Sequence, residues 1–196
     1  EDTKVTLDEI ANEFGDETAL LVEGLTEVRN KTKDIEVHQT SIAVFRHFLF
    51  SSVNDVRILI IRLVDKLHNG LTINALSQER KIKYAQRVFG IYGPIAEYVG
   101  LHYFKRIIED IAFRILYPKE SAEIIKLLED RRKDELRALA KVSREIEEIL
   151  KINRINECQI QGRIKSAYST FLKSKKYRSG MGKDRVGIRI ITQDIQ

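Results

Sequence analysis

The sequence has no tryptophan, one cysteine, one methionine and two prolines. The single thiol, Cys158, excludes an intramolecular disulfide framework and fits a reducing, cytoplasmic setting. Two prolines and ten glycines among 196 residues leave few helix breakers, which favours a mainly helical protein. No apolar run reaches the roughly 20 residues that a membrane-spanning helix needs. The first residues lack the basic-then-apolar pattern of a signal peptide, so no membrane partner is expected. The chain opens on Glu1-Asp2-Thr3 without a methionine and stops at Gln196, just after the apolar run Ile188 to Ile191. It is read here as an internal fragment of a longer protein.

What the sequence does have is charge. Charged residues make up 32% of it, which suits long exposed helices, while a hydrophobic share of 43% is adequate for a core. The net charge is +5, and its excess is concentrated late in the chain. Between Gly162 and Arg189 nine basic residues face the single acid Asp184. Such a concentration calls for phosphate, on a nucleotide or on a nucleic acid.

The patterning predicts the following elements. Thr6 caps a short helix with Glu9 closing a capping box, and Gly15 stops it. A second helix runs from Asp16 to about Arg29, a polar loop from Asn30 to Glu36, and a third helix from about Val37 to Ser51. Asp55 caps a central helix that reaches to about Leu76 and is apolar around nearly its whole circumference, as a buried helix would be. A further helix, Gln78 to Val99, contains Pro94 and should kink near Ile91. His102 to Leu116 is another, closed by Tyr117-Pro118. Lys119 to about Ile152 is a long charged helical stretch, expected as two helices. The character then changes: a strand over Ile155 to Ile160 broken by Gly162, a helix over Lys165 to Lys175, a loop at Ser179 to Gly182, and a strand over Val186 to Thr192. That order marks the opening of a mixed α/β domain.

Two groups of residues carry chemistry. In the central helix Asp65, Asn69 and Thr72 stack on one face at i, i+4 and i+7. A buried carboxylate there needs a cation, a donor network or a metal. The bland alternative is a structural aspartate paired with an arginine such as Arg46. In the second group Arg163 and Lys165 stand at a strand end and helix start, and Lys165, Ser169 and Lys173 share a helix face. Donors and positive charges then meet where a triphosphate could lie. The alternative is a generic basic surface helix. His38, His47, His68 and His102 have no metal-ligand spacing.

Val64-Asp65-Lys66-Leu67-His68-Asn69 resembles the Ala-Asp-Arg-Leu-His-Asn block of the RelA/SpoT-homologue family, the (p)ppGpp synthetase/hydrolases. Glu1-Asp2-Thr3 resembles the end of that family's His-Asp-x-x-Glu-Asp-Thr signature. Phe45-Arg46, Ile91 to Ala96 with Val99-Gly100, and Ile108 to Arg114 resemble further family segments. Gly70-Leu71-Thr72 departs from the family's Met-Arg-Thr, which removes one basic contact. Gly162-Arg163-Ile164-Lys165-Ser166-Ala167-Tyr168-Ser169 with Lys173 matches the synthetase pattern Gly-Arg-x-Lys-x-x-Tyr-Ser-x-x-x-Lys.

The resemblance implies a fold that is mainly α. Residues 1–117 would form a helical HD-type hydrolase domain, 118–153 a helical connector, and 154–196 the start of a mixed α/β, nucleotidyltransferase-like synthetase domain. It further implies that Asp65 is a manganese ligand whose fellow ligands precede Glu1, and that Glu1 and Asp2 lie near the attacking water. Arg46, Asn69 and Thr72 would contact nucleotide. In the synthetase part Arg163, Lys165, Ser169, Lys173 and Arg189 would bind nucleotide and Asp184 magnesium. ATP, GDP/GTP and (p)ppGpp are the implied substrates. Ribosome contact belongs to the family, and nothing in these residues shows it. Two other readings stay open: a relative with one live activity, and a helical basic module that binds nucleic acid.

Overall fold

A computed structural model describes residues 4–33, 55–155, 157–176 and 185–192. Two compact units result, residues 1–116 and 117–196. The expected third helix, the loop at Ser179 to Gly182, and His38 and His47 lie outside the described residues.

In the first unit α1 (Leu7–Phe14) begins with the capping box: the Thr6 hydroxyl accepts from the Glu9 N–H while the Glu9 carboxylate accepts from the Thr6 N–H. Gly15, at φ 88°, ends it. α2 (Asp16–Lys33) runs past Arg29 into what the polar composition suggested was loop. α3 (Val56–Leu71) starts at Asp55, whose side chain accepts from the Arg57 N–H, and ends at Thr72; a 3₁₀ turn, Ile73–Ala75, follows. The central helix is therefore shorter than expected.

α3 is also buried along one stripe rather than all round. Ile58, Leu59 and Leu63 face the core, while Val56 and Val64 are about half exposed. At 100° per residue these positions fall on different sides of the cylinder, so apolar composition alone overstated the burial.

The helix expected from Gln78 to Val99 is three segments: α4 (Gln78–Arg87), a π-helical turn (Val88–Tyr92) and α5 (Gly93–Tyr98). The Gly93 N–H reaches back five residues to the Val88 carbonyl. Pro94 has no N–H to give and its ring crowds the preceding turn, which accounts for the break in the ladder here. Gly100, at φ 76°, closes α5 with two backbone bonds, Gly100 N–H to Glu97 and Leu101 N–H to Ala96. α6 (His102–Leu116) packs against α3, α4 and α5. Leu63, Val88, Ile91, Ile108 and Ala112 form the centre of this core.

In the second unit α7 (Pro118–Ile152) is one continuous helix of 35 residues, not two. No glycine or proline interrupts it after Pro118, so nothing in the backbone stops propagation. It ends with Arg154 in the left-handed region at φ 59°, with its N–H bonded to Lys151 and that of Ile155 to Leu150. β1 (Cys158–Ile164) and β2 (Val186–Thr192) pair antiparallel, Gly162 opposite Ile188 and Gln161 opposite Arg189. α8 (Ala167–Lys176) lies between them in sequence and packs on α7.

Gly162 does not break β1; it sits inside it. A Cβ there would meet the Leu139 side chain on α7 at 2.7 Å, so glycine permits the close approach of strand and helix. Period-two alternation then assigns the two faces of the ribbon. Ile160, Ile164, Val186 and Ile188 share the face of Gly162, toward α7; Arg163 and Arg189 share the opposite one.

Candidate active site on α3

The polar stripe exists and is bonded to itself. The Asn69 amide donates to Asp65 Oδ1 at 3.2 Å, one helical turn apart. The other carboxylate oxygen faces two cations: Lys66 Nζ lies at 2.8 Å and Arg62 Nη1 at 3.6 Å from Asp65 Oδ2. Those cations are well covered, with 17% and 11% of their side-chain surface exposed, whereas the Asp65 side chain is 43% exposed. The buried carboxylate expected from the apolar surroundings is thus half exposed, and its partners are Lys66 and Arg62. Lys66 Nζ also stands 5.7 Å above the Tyr92 ring.

An open hollow of about 370 Å³ adjoins this face. Ile61, Arg62, Asp65, Lys66 and Asn69 line it from α3. Leu25 and Arg29 line it from α2. Among the described residues three cationic side chains and one carboxylate line the space, so the described lining carries a positive excess between two aliphatic walls. Thr72 is not among the lining residues. Its hydroxyl donates to the His68 carbonyl at 3.1 Å and terminates the helix.

Beneath the hollow, the Tyr84 hydroxyl donates to the Lys66 carbonyl at 3.0 Å. Burial pushes its pKa up to about 12, so it stays a donor throughout the neutral range.

Glu1, Asp2 and Arg46 lie outside the described residues. Among the described residues no group of three or more His, Cys, Asp or Glu side chains could hold a metal ion. Asp65 supplies one carboxylate whose Oδ2 is already engaged by cations. The described residues by themselves do not fit a metal centre; one would need donors from elsewhere.

The second group is brought together differently from the expected helix face. Lys165 precedes α8, in the link from β1, and its N–H bonds to the Arg185 carbonyl at 2.9 Å. Ser166 is the residue before α8: its hydroxyl accepts from the Ser169 N–H at 3.3 Å and donates to the Ser169 hydroxyl at 3.1 Å. Ser169 and Lys173 do stand one turn apart on α8. Asp184 lies outside the described residues.

Sequence reasoning missed Arg62, Lys66 and Arg29 as site residues. Arg62 stands three residues before Asp65, a helical neighbour that the i, i+3 rule would have found. Arg29 is a turn-by-turn inconspicuous residue of α2, and only the packing of α2 on α3 brings it to the hollow.

Residues 1–102 match the HD-domain family. A GTP pyrophosphokinase of Streptomyces antibioticus is 35% identical over 198 aligned residues, covering 100% of this chain and 23% of the relative. A guanosine-3′,5′-bis(diphosphate) 3′-pyrophosphohydrolase of Borreliella burgdorferi is 36% identical over 97% of this chain and 29% of its own length. The bifunctional (p)ppGpp synthase/hydrolase SpoT of Escherichia coli is 30% identical over 99% of this chain and 28% of its own. The chain thus spans about a quarter of the length of the curated relatives it matches.

Proposed function

This chain belongs to the HD-domain family, and from that premise we propose that the protein carrying it is a RelA/SpoT-type enzyme of (p)ppGpp metabolism. The hollow on α3 is part of a site that hydrolyses the 3′-pyrophosphate of (p)ppGpp. Residues 1–117 are the HD-type hydrolase domain and 118–153 the helical connector. Residues 154–196 open a synthetase domain that transfers pyrophosphate from ATP to GDP or GTP.

One observation carries the hydrolase reading. Asp65 and Asn69, bonded to each other, line an open hollow with an excess of positive charge. A polyanionic nucleotide requires such a field, and an amide beside a carboxylate can orient a hydroxyl or a base edge. The aliphatic walls, Leu25 and Ile61, suit a sugar or base face. Asp65 is the described residue we assign to a manganese centre, with Glu1 and Asp2 beside the attacking water and Arg46 on the nucleotide. HD-domain hydrolases are metal-dependent; the metal's chemistry is to make bound water more acidic. Asn69 holds and orients the nucleotide, and Thr72 contributes by fixing the end of its helix.

For the synthetase we assign Arg163 and Arg189, on the ribbon face turned away from α7, to nucleotide binding. Lys165, in the link before α8, and Ser169 and Lys173, one turn apart on α8, join them, and Asp184 is the magnesium carboxylate. The common face of the two arginines supports this, since planar guanidinium groups suit both phosphate and a stacked base.

The test is turnover by the full-length protein. With (p)ppGpp and manganese it should release pyrophosphate and leave GDP or GTP. With ATP, GDP and magnesium it should form the 3′-pyrophosphorylated product. Turnover of neither substrate set by folded protein would overturn the proposal.

A further inference from the structure

We propose that Arg62, Lys66 and Arg29 form a diphosphate-binding subsite in the α3 hollow, and that Asp65 occupies the cations of that subsite until the ligand displaces it.

The geometry of the carboxylate points to this. Asp65 Oδ2 receives both Lys66 Nζ, at 2.8 Å, and Arg62 Nη1, at 3.6 Å. One oxygen serves two cations, at contacts of unequal length. Both cations are more than four-fifths covered, so their charge is screened little by water. Arg29 adds a third positive charge from the facing helix, and no second acid lines the hollow among the described residues. The described lining therefore sums to three positive charges against one negative.

A half-exposed carboxylate is the group most easily displaced from this arrangement. A diphosphate brings several oxygens and a larger negative charge to the same cations. Once it binds, Lys66 and Arg62 turn from Asp65 to the phosphate oxygens, and the carboxylate is released to its other duties. Asn69 keeps hold of Oδ1 meanwhile, so the carboxylate stays in place. The hollow is large enough for a diphosphate with part of a nucleoside. This rests on the hydrolase reading of the same hollow. It deepens that reading by naming what holds the substrate's anionic group and what competes with it.

The experiment is calorimetric titration of the protein with inorganic pyrophosphate in EDTA, which removes any metal-mediated binding. Each cation that contacts phosphate should be worth roughly tenfold in affinity. Lys66→Gln should weaken binding by about that factor, and Arg29→Gln by a similar or smaller one. Arg62 is more covered than Lys66, so Lys66→Gln and Arg29→Gln carry the test should Arg62→Gln not fold. Asp65→Asn should tighten pyrophosphate binding several-fold, because it removes the competing charge and keeps the shape. Added salt should weaken binding by the wild type more than by Lys66→Gln.

Unchanged affinity in Lys66→Gln and Arg29→Gln would overturn the proposal, and so would an Asp65→Asn protein that binds pyrophosphate more weakly. GDP that displaces pyrophosphate assigns the subsite to a 5′-diphosphate. GDP that binds beside it assigns the subsite to the 3′-pyrophosphate. Failure of the full-length protein to hydrolyse (p)ppGpp, with these affinity changes intact, would count against the hydrolase reading and leave the subsite standing.

Discussion

Gly70 follows Asn69 directly, and its missing side chain lets Tyr84 close beneath the site helix. A methyl group at Gly70 would overlap the Tyr84 hydroxyl oxygen and come within 3.1 Å of Ile111 Cδ1. Tyr84 has little room to yield, being 9% exposed and hydrogen-bonded to the Lys66 carbonyl. Gly70→Ala should therefore force the ring aside. Overpacking of this kind costs about 1–3 kcal/mol, and the lost hydrogen bond about 1 kcal/mol more. Alanine's better helix propensity returns about 1 kcal/mol. The balance is a destabilisation of about 1–3 kcal/mol, or a fall in Tm of roughly 4–12 °C for a unit of this size. Thermal unfolding followed by circular dichroism measures it. The decisive arm is the same substitution in a Tyr84→Phe background, where the hydroxyl is gone. There the cost should shrink toward zero, giving a coupling of about 1–3 kcal/mol between the two positions. If Gly70→Ala stabilised the wild type, or cost the same in both backgrounds, the account of α3 resting on Tyr84 would be refuted.

Three further outcomes follow from the packing. Burial raises the Glu109 carboxyl pKa to about 7 from its ordinary 4.5, with Glu97 and Asp110 adding to the rise and Lys105 opposing it. The folded-state value lies above the unfolded one, so this group's contribution is full below about pH 4.5 and is lost as pH rises through about 7. A Tm-against-pH profile should lose that decline in Glu109→Gln, and an unchanged slope would contradict the assignment. Arg185 is buried in the second unit with its guanidinium 2.9 Å from Glu135. Glu135→Ala should cost about 3–5 kcal/mol because it strands that charge, and the pair Glu135→Leu with Arg185→Met should cost clearly less; denaturant titration of the three proteins checks the order. Arg154→Gly should stabilise the end of α7 by about 1 kcal/mol, since glycine adopts the φ of 59° without Cβ strain; the same titration reads it.

The elements with local punctuation were legible. Thr6 with Glu9 marked the start of α1, Asp55 that of α3, and Gly100 the end of α5, because caps are short-range chemistry. α6 came out with the expected bounds, ending just before Tyr117-Pro118. Features set by tertiary approach did not read out. Gly162 looked like a breaker, yet it is a strand residue whose lack of a side chain admits Leu139. Lys165 looked like the first residue of a helix, but Ser166 takes the capping role and leaves it in the link. The site itself divided along the same line. Asp65 and Asn69 share a helix face by spacing alone, so their pairing was foreseeable. Arg62 lies within the same helical spacing and could have been found the same way, whereas that α2 would bring Arg29 to the hollow depends on helix packing that no single window of sequence contains. No helix among the described residues is long and apolar enough to cross a membrane.

The most direct trial of the central claim is Asp65→Ala in the full-length protein, assayed separately for release of pyrophosphate from (p)ppGpp and for pyrophosphate transfer from ATP to GDP. Hydrolysis should fall by at least about 100-fold, the scale on which a reacting-site carboxylate acts, while transfer stays close to the wild-type rate. Hydrolysis that persists, or an equal loss of both activities in a protein that still folds, would contradict it.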